Sequence, residues 1–302
     1  MNLRRNILIF HQAALGDFVL TWPLAMALGR VFAQSRVMYV TGSDKGRLAE
    51  DAIGVEAVSA DDGWHALHGD GVEPNDHVRR MLAATQLVVL FAQNDEPSFA
   101  AGLHKNAGDV PMVVLRPNPP ADVHVWDHHL AQLAGDGRLA DYVRQMQSLV
   151  RTQGLIARLP SESNTVFIHP GSGSIEKNWP VELFAALGAE LRGRGKKVAL
   201  LLGEAERERF DAASRSRLSD AADEVIEPAD LPALRRTLTA AAAYVGNDSG
   251  PTHLAAMLGV PTVALFGPAS SPAQWHPVGP RAAVCPFDTS VGGVVDQLLS
   301  LG

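Results

Sequence analysis

The sequence predicts an α/β protein built from two doubly wound parallel sheets. Short apolar runs of strand type alternate with helix-like segments along the 302 residues. These runs are apolar throughout, as in parallel strands that helices cover on both faces. A polar segment with a proline, residues 158–165, separates two such series. The length also suits two domains of about 150 residues each.

The strands and domains follow from this pattern. In the first series, strands are predicted at residues 6–11, 36–41, 87–92 and 112–115, with a helix over residues 18–31. In the second series, strands are predicted at residues 166–169, 197–202, 241–245 and 261–266. The predicted domains are residues 1–157 and 158–302, with the last helix able to pack back on the first domain. Because such sheets bind ligands beyond the carboxyl ends of their strands, the loops there are the candidate sites.

Composition excludes several classes of protein. A net charge of −7 and a pI near 5.9 argue against a nucleic-acid binder. The single cysteine, Cys285, cannot form an internal disulfide, is typical of a reducing compartment and is expected to be buried. The apolar run after Arg4 and Arg5 ends too early for a signal peptide, and no run approaches the roughly 20 apolar residues of a membrane span. We therefore expect a cytoplasmic protein.

Residues 246–254 (GNDSGPTHL) form the most informative segment, because turn and helix-start signals follow a strand. The backbone N–H groups of Ser249 and Gly250 would point out of a helix N-terminus, which suits a diphosphate. Asp248 would cap the helix or bind a ligand hydroxyl. His253 would donate to the loop or to a phosphate, or else pack the helix. A purely structural strand-to-helix turn is the alternative for the whole segment.

Residues 169–180 (HPGSGSIEKNWP) repeat the order of strand, Gly/Ser turn and helix. Glycines such as Gly173 let the backbone approach a ligand, Ser172 and Ser174 supply neutral donors, and Lys177 supplies a compact positive charge. This combination suits a diphosphate, although the Gly-Lys-Ser/Thr ending of a Walker A loop is absent. The alternative is a flexible surface turn.

The loop at residues 11–17 (HQAALGD) follows the first strand and opens a helix. Gly16 permits a tight turn, and Asp17 lies at the helix start near the strand ends. Asp17 is expected to be an N-cap, a carboxylate base that faces a ligand, or both, since neither role excludes the other.

The loop after residue 202 is rich in charge. A carboxylate just past a strand end commonly binds ribose hydroxyls, which makes Glu206 or Glu204 a candidate. The alternative is a solvated helix face with charge pairs four residues apart.

In these segments the chain resembles glycosyltransferase family 9, whose best-known members are the ADP-heptose:lipopolysaccharide heptosyltransferases. The likeness is strongest at residues 14–17 (ALGD), 169–173 (HPGSG), 177–180 (KNWP) and 248–254 (DSGPTHL), and it returns at 259–262 (GVPT) and 265–268 (LFGP). The segments occur in the family's order and approximate spacing. The resemblance implies a GT-B architecture, in which two Rossmann-like domains face a cleft. The donor nucleotide then belongs to the C-terminal domain and the acceptor to the N-terminal domain.

The resemblance also implies a reaction. It is an inverting, metal-independent transfer of a sugar, heptose above all, from a nucleotide-diphosphate donor such as ADP-heptose to a cell-envelope glycan such as lipopolysaccharide core. Asp17 would be the general base. Lys177 would stabilise the departing diphosphate together with Ser172 and the amides of Ser249 and Gly250.

The same likeness implies roles for two further residues. Asp248 would order the phosphate loop or contact the donor sugar, and Glu206 would lie near the ribose. The metal-holding Asp-x-Asp of many other glycosyltransferases is absent from the sequence. We therefore expect neither a metal nor another cofactor. The acidic composition described above predicts no nucleic-acid partner.

The chain departs from the family on the acceptor side. Family members often have Arg or Lys where this chain has His11, and Gly where it has Ala13. Residues 1–150 hold twelve basic and seventeen acidic residues, whereas an acceptor that carries phosphates favours a basic surface. A glycolipid acceptor would still bring the enzyme into peripheral contact with the inner membrane.

Other functions remain open from sequence. A nucleotide-sugar epimerase of the same architecture would use the same phosphate loops without an acceptor, and a non-catalytic module would only bind the nucleotide sugar. His124, His128 and His129 also lie on a predicted helix, where a pair four residues apart is able to hold zinc. No Cys or acidic ligand completes that set in an obvious register, so no metal site is predicted.

Overall fold

The computed structural model describes residues 5–69, 72–135, 140–153 and 163–302. The chain forms two compact units, Met1–Gln147 and Ser148–Gly302. Most of the predicted linker, residues 158–165, lies outside the described residues. The boundary expected after residue 157 therefore stays a prediction.

A parallel sheet forms the centre of the first unit. Its strands are β1 (Asn6–Phe10), β2 (Arg36–Thr41), β3 (Glu56–Ser59), β4 (Thr85–Phe91) and β5 (Met112–Leu115). They pair in the order β3-β2-β1-β4-β5, and every pair is parallel. The four predicted strands are confirmed to within two residues, and β3 is an additional strand.

Helices alternate with these strands. They are α1 (Leu15–Leu20), α2 (Trp22–Val31), α3 (Ser43–Ile53), α4 (Asp76–Ala83), α5 (Pro97–Ala107), α6 (Val125–Ala134) and α7 (Ala140–Gln153), with a 3₁₀ turn at Trp64–His68. Leu8 and Phe10 of β1 share a buried cluster with residues of α4 and α5. Ile7 and Ile9 point to the opposite face and are also fully buried. The sheet is therefore covered on both faces, as the apolar strands predict.

The single helix predicted over residues 18–31 is wrong. The chain instead breaks at Thr21, between α1 and α2. Pro23 has no backbone N–H, and its ring clashes with the carbonyl four residues before it in a continuous helix, so it favours the start of a new helix. The Thr21 hydroxyl donates to Phe18 O at 2.8 Å and occupies a carbonyl at the break.

A second parallel sheet forms the centre of the second unit. Its strands are β6 (Thr165–His169), β7 (Lys197–Leu201), β8 (Glu224–Ile226), β9 (Ala243–Asn247), β10 (Thr262–Phe266) and β11 (Ala282–Pro286). They pair in the order β11-β10-β9-β6-β7-β8. The predicted strands at 166–169, 197–202 and 261–266 are confirmed to within one residue, whereas β9 begins and ends two residues later than predicted.

The helices of this unit pack around the sheet. They are α8 (Val181–Gly193), α9 (Glu204–Arg209), α10 (Ala212–Asp220), α11 (Leu231–Ala240), α12 (Gly250–Met257), α13 (Pro272–Trp275) and α14 (Val291–Ser300), with a 3₁₀ turn at Ile175–Lys177. Val294 and Leu298 of α14 belong to the core of this unit. Cys285 lies in the same core, and burial raises the pKa of its thiol, as expected for an unreactive cysteine. Among the described residues, no helix has the length and apolarity to cross a membrane.

Each sheet reverses its strand order at one place. The reversal lies between β1 and β4 in the first unit and between β6 and β9 in the second. At such a point, neighbouring connections leave in opposite directions and open a crevice beyond the carboxyl ends of the strands. These are the two positions where the fold favours a ligand.

Candidate active site

The loops after β6 and β9 meet at the reversal point of the second sheet. Asn247, the last residue of β9, joins the two loops. Its Oδ1 accepts a hydrogen bond of 2.9 Å from the backbone N–H of Trp179, and its Nδ2 donates to Pro170 O at 2.7 Å. Asn247 is fully buried, so these bonds hold the Gly/Ser loop against the start of α12.

A charged cluster lies where these loops meet. Lys177 Nζ is 2.8 Å from Asp248 Oδ2, and the Ser270 hydroxyl donates to the same oxygen at 2.5 Å. His253 Nε2 lies 3.3 Å from the other oxygen, Oδ1. The side chain of Lys177 keeps 33% of its surface exposed, whereas that of Asp248 keeps 6%. The Lys177 side chain is therefore partly open to solvent beside a buried carboxylate.

The Asp248 carboxyl is held in its ionised form. Burial by itself raises its pKa, because a charge is disfavoured away from water. The hydrogen bond and charge of His253, with the bonds from Lys177 and Ser270, outweigh burial and hold the pKa of Asp248 well below its usual range. These partners are side chains and not helix amides, so the capping interpretation of Asp248 is wrong.

Helix α12 begins directly beside this cluster. Its N-cap residue is Ser249, whose side chain makes no capping hydrogen bond. The Ser249 hydroxyl lies 3.0 Å from Thr252 Oγ1 and 3.4 Å from His169 Nδ1. The first backbone N–H groups of a helix, here those of Gly250 and Thr252, have no acceptor within the helix. The helix start is thus able to bind an anion with backbone donors.

The Gly/Ser loop is held in place from two sides. Ser172 is buried, and its hydroxyl donates to Ser174 O at 2.6 Å. Arg209 donates to Ser172 O at 2.9 Å. Gly173 is exposed at the tip of the loop. These bonds disagree with the alternative of a flexible surface turn.

Glu206 lies beneath the loop. Its Oε2 accepts a hydrogen bond of 2.6 Å from Gly203 N, and its Oε1 lies 3.5 Å from His169 Nε2. Burial raises the pKa of Glu206, but His169 and the backbone amides outweigh burial and lower it. A Cβ on Gly171 would overlap the Glu206 carboxylate, so this contact needs a glycine there. The solvated-face alternative is wrong for Glu206, because the side chain is buried. Its contact with ribose stays a prediction.

Asp17 lies in the first unit, at the reversal point of that sheet. The N-cap of α1 is Ala14, and Asp17 is the third residue of the helix, so the N-cap interpretation of Asp17 is wrong. Gly16 is the second residue of the same helix, and the expected turn is the start of α1. Lys45 of α3 donates to Ala13 O at 2.6 Å. Burial lowers the pKa of Lys45, and the negative charge of Asp17 opposes that shift. The Asp17 carboxylate and the Lys45 ammonium group therefore lie close enough to interact beside this loop.

His11 follows β1 and is almost completely buried. Burial, and then the charges of Lys45 and His129, lower its pKa to about 3. The imidazole is therefore neutral at physiological pH. It occupies the place where an Arg or Lys is common in the family that the sequence resembles.

One comparison decides the family of this chain. The model of "Glycosyltransferase family 9 (heptosyltransferase)" matches residues 104–291, more than half of the sequence. The chain belongs to glycosyltransferase family 9. The matched residues include both loops of the charged cluster, whereas Asp17 lies before them.

Individual relatives agree with this assignment. Lipopolysaccharide heptosyltransferase 1 of Pseudomonas aeruginosa is 38% identical over 110 residues, which are 36% of this chain and 30% of the relative's own length. A glycosyl transferase family 9 structure from Veillonella parvula has a TM-score of 0.76 at 19% identity, over 100% of this chain and 98% of that one. E. coli heptosyltransferase WaaC with ADP has a TM-score of 0.68 at 16% identity, over 98% and 100%. The two parallel-sheet units thus match heptosyltransferase structures, and the predicted GT-B fold is confirmed.

The histidines of the family 9 chain show no metal centre. Among the described residues, no group of three or more His, Cys, Asp or Glu side chains is placed to hold a metal ion. His124 is the N-cap of α6 and not a helical residue as predicted, and its Nδ1 accepts from Trp126 N at 3.2 Å. His129 Nε2 lies 3.2 Å from Pro117 O, and burial lowers the pKa of His129 to about 4.

Sequence reasoning missed four residues that complete these sites. Ser270 follows β10 and bonds Asp248 from 22 positions away. Asn247 was seen only as part of a motif, although it joins two loops. Arg209 holds the Gly/Ser loop, and Lys45 holds the loop before Asp17. A polar residue just after a strand end was the signal for Ser270. No local pattern marks Lys45 or Arg209, because both lie on charged helices.

Proposed function

We propose that this family 9 protein transfers a heptosyl group from ADP-heptose to a sugar of a cell-envelope glycan such as lipopolysaccharide core. The names of its relatives support the sugar and the acceptor, and the ADP held by WaaC supports the nucleotide. The single observation that carries the proposal is the cluster of Lys177 and Asp248 beside the start of α12. A partly exposed cation next to free helix amides is what a sugar diphosphate requires.

Lys177 suits the leaving diphosphate. An ammonium group has three donors, and one of them bonds Asp248. Two remain for phosphate oxygens, while Asp248 holds the ammonium in position. As the bond between the anomeric carbon and the phosphate oxygen breaks, negative charge grows on the diphosphate. Lys177 and the amides of Ser249 and Gly250 stabilise that charge, and we propose that no metal takes part.

Asp17 suits the acceptor side. A carboxyl side chain is ordinarily ionised at neutral pH and accepts a proton from a hydroxyl as that hydroxyl attacks. The attacking oxygen forms its bond to the anomeric carbon while the diphosphate leaves from the opposite face. One displacement of this kind inverts the anomeric configuration. Lys45 holds the loop before Asp17 through the Ala13 carbonyl and so positions the base.

The proposed acceptor carries a lipid anchor, so the reaction would occur at a membrane surface. We propose that it occurs at the cytoplasmic face of the inner membrane, with the protein in peripheral contact. Vesicle flotation with and without lipopolysaccharide in the bilayer tests this part on its own. The protein is expected to float only with vesicles that carry the acceptor.

A reconstituted reaction tests the activity. The protein is incubated with ADP-heptose and heptose-deficient lipopolysaccharide, and ADP release and product mass are followed with and without EDTA. We expect one heptose added per ADP released, with no loss in EDTA. Conversion of the sugar with donor alone would favour an epimerase. ADP binding without transfer to any acceptor would favour a non-catalytic module.

A further inference from the structure

A cavity of about 530 Å³ opens at the reversal point of the first sheet. His11 and Gln12, which follow β1, line it together with Phe91 at the end of β4. All of its lining residues belong to the first unit. Its volume lies within the range of small-molecule sites, and its place is where a doubly wound sheet favours a ligand.

The walls of this cavity are aromatic. The Phe10 ring lies 5.3 Å from that of Trp64 and 4.9 Å from that of Phe99, and the His11 ring lies 5.1 Å from that of Phe91. Aromatic faces pack well against the C–H face of a sugar ring, while the hydroxyls of the sugar need neutral donors and acceptors at the edges.

The charge of the cavity is unfavourable for an anion. Of the described residues that line it, none is Lys or Arg, whereas Asp61 and Glu96 are both present. Two cations lie behind the cavity wall and are paired there. Lys45 donates to the backbone carbonyl of Ala13, and Arg116 donates to that of Ala92 and pairs with Asp95.

His11 adds a polar group without a charge. It is 2% exposed, and its Nδ1 has no hydrogen-bond partner within the part of the chain that the structure describes. Burial lowers the pKa of His11 to about 3, so the ring stays neutral. Because the protein encloses this nitrogen, a ligand hydroxyl bonds it only after the His11 ring turns towards the cavity that it lines. A neutral imidazole bonds a hydroxyl but does not attract a phosphate.

We propose that this cavity holds an uncharged sugar residue of the acceptor and discriminates against a phosphorylated one. The inference rests on the proposed function, because it names the chemistry of the sugar that the transferase accepts. Phe91 is the partly exposed ring of this set and packs against the sugar, while the buried Trp64 lines the same cavity and reports on its occupancy. His11 bonds one of the sugar hydroxyls. Asp61 and Glu96 repel a phosphate group at the same place.

Binding without donor tests this inference directly. The full chain carries ¹⁵N-labelled tryptophan, and the Trp64 indole signal is assigned with Trp64→Phe. The probes are a methyl heptoside and the same glycoside with one phosphate monoester, measured near pH 8, where free imidazole is neutral. We expect the neutral glycoside to shift the Trp64 signal and to bind at least about tenfold more tightly than the phosphate ester. Equal or tighter binding of the ester, or an unmoved Trp64 signal with both probes, would overturn the inference.

A charge reversal provides the matched comparison. Asp61→Lys is expected to reduce the preference for the neutral glycoside several-fold, because it replaces a repelling charge with an attracting one. Asp62→Lys changes an exposed neighbour that does not line the cavity and is expected to leave the preference unchanged. Equal effects of both variants would contradict a local role.

The inference and the proposed function fail in different ways. Sugar binding at Trp64 without heptosyl transfer would reject the proposed function and leave the cavity assignment intact. Heptosyl transfer that prefers the phosphorylated sugar would reject the cavity assignment and leave the proposed function intact.

Discussion

The two reversal points lie in parallel sheets of similar topology, but the side chains around them differ in charge. A buried histidine lies at the carboxyl end of an inner strand in each sheet. His11 directly follows β1, and His169 is the last residue of β6. His169 lies between Glu206 and Ser249, whereas His11 Nδ1 has no partner among the described residues. The second unit surrounds its reversal point with ion pairs and helix amides. The first unit lines the cavity at its own reversal point with aromatic rings and a neutral imidazole, and it places Asp17 and Lys45 beside the loop at the cavity wall.

This difference shows what the fold decides and what the side chains decide. Parallel strands of doubly wound topology determine where a crevice opens, because the connections diverge there. The chemistry of that crevice depends on a few residues. A cation held by Asp248 suits a diphosphate, while an aromatic cavity with no Lys or Arg among its described lining residues suits a neutral sugar.

Removal of the proposed base should have the largest effect. Asp17→Asn is expected to lower heptosyl transfer by about 10³-fold, because the amide cannot accept the hydroxyl proton. ADP affinity should stay unchanged, since Asp17 lies in the unit without the phosphate loops. Transfer kinetics and calorimetry with ADP measure the two quantities. Asp44→Asn, in the first turn of α3, is the control. Full activity of the Asp17 variant would remove the residue from the reaction.

Removal of the Lys177 charge, in the second unit, should have the second-largest effect on activity. Lys177→Met is expected to lower kcat/KM for the donor by about 10²-fold, because the diphosphate charge loses its stabilising partner. Lys177→Arg should restore only part of the rate, since a planar guanidinium does not replace a compact ammonium. Lys197→Met, exposed at the start of β7, is the matched control. Donor kinetics that match the wild type in Lys177→Met would contradict the assignment of the donor site.

The carboxylate that holds this cation should affect stability. Asp248→Asn is expected to lower the free energy of unfolding by about 1–3 kcal/mol at neutral pH, because buried donors lose an ionised acceptor. The folded pKa of Asp248 lies below its ordinary 3.8, so this stabilisation is fully present above that value and is lost as the pH falls below it. The difference in Tm between wild type and variant should thus be constant above about pH 5 and shrink below about pH 4.

An exposed ion pair gives the control for that experiment. Asp296→Asn removes a partner of Arg194, 3.4 Å away on the surface, and should change stability little. A Tm difference for Asp248→Asn that grows in acid would contradict the sign of the pKa shift.

The smallest effect is expected at Lys45. Lys45→Met should raise the KM for the acceptor by about three- to tenfold and leave the KM for the donor unchanged, since it frees the loop before Asp17. Arg47→Met, on the exposed side of the same helix, is the control. A change in donor KM would place Lys45 in a different role.

The fold was predictable from the sequence because continuous apolar runs report strands that are buried on both faces. β1 and β10 show this, since all of their residues are buried. The prediction of one helix over residues 18–31 failed because apolar periodicity continues through Thr21, while Pro23 decides the break. β9 began later than predicted because Ala241 and Ala242 are as apolar as the strand itself.

The candidate site was predictable only in part. Lys177, Asp248 and His253 lie in motifs, so their types were visible, but the contact of Lys177 with Asp248 joins residues 71 positions apart. The folded chain alone shows that Asp248 serves Lys177 and does not cap α12. Ser270 and Lys45 carry no motif, and tertiary packing brings them to the loops that they hold.

A crystal structure of the protein with ADP would locate the diphosphate of the donor. We expect the diphosphate against Lys177 Nζ and the first amides of α12, with the Lys177 to Asp248 bond retained. A diphosphate bound instead in the aromatic cavity beside His11 would contradict it.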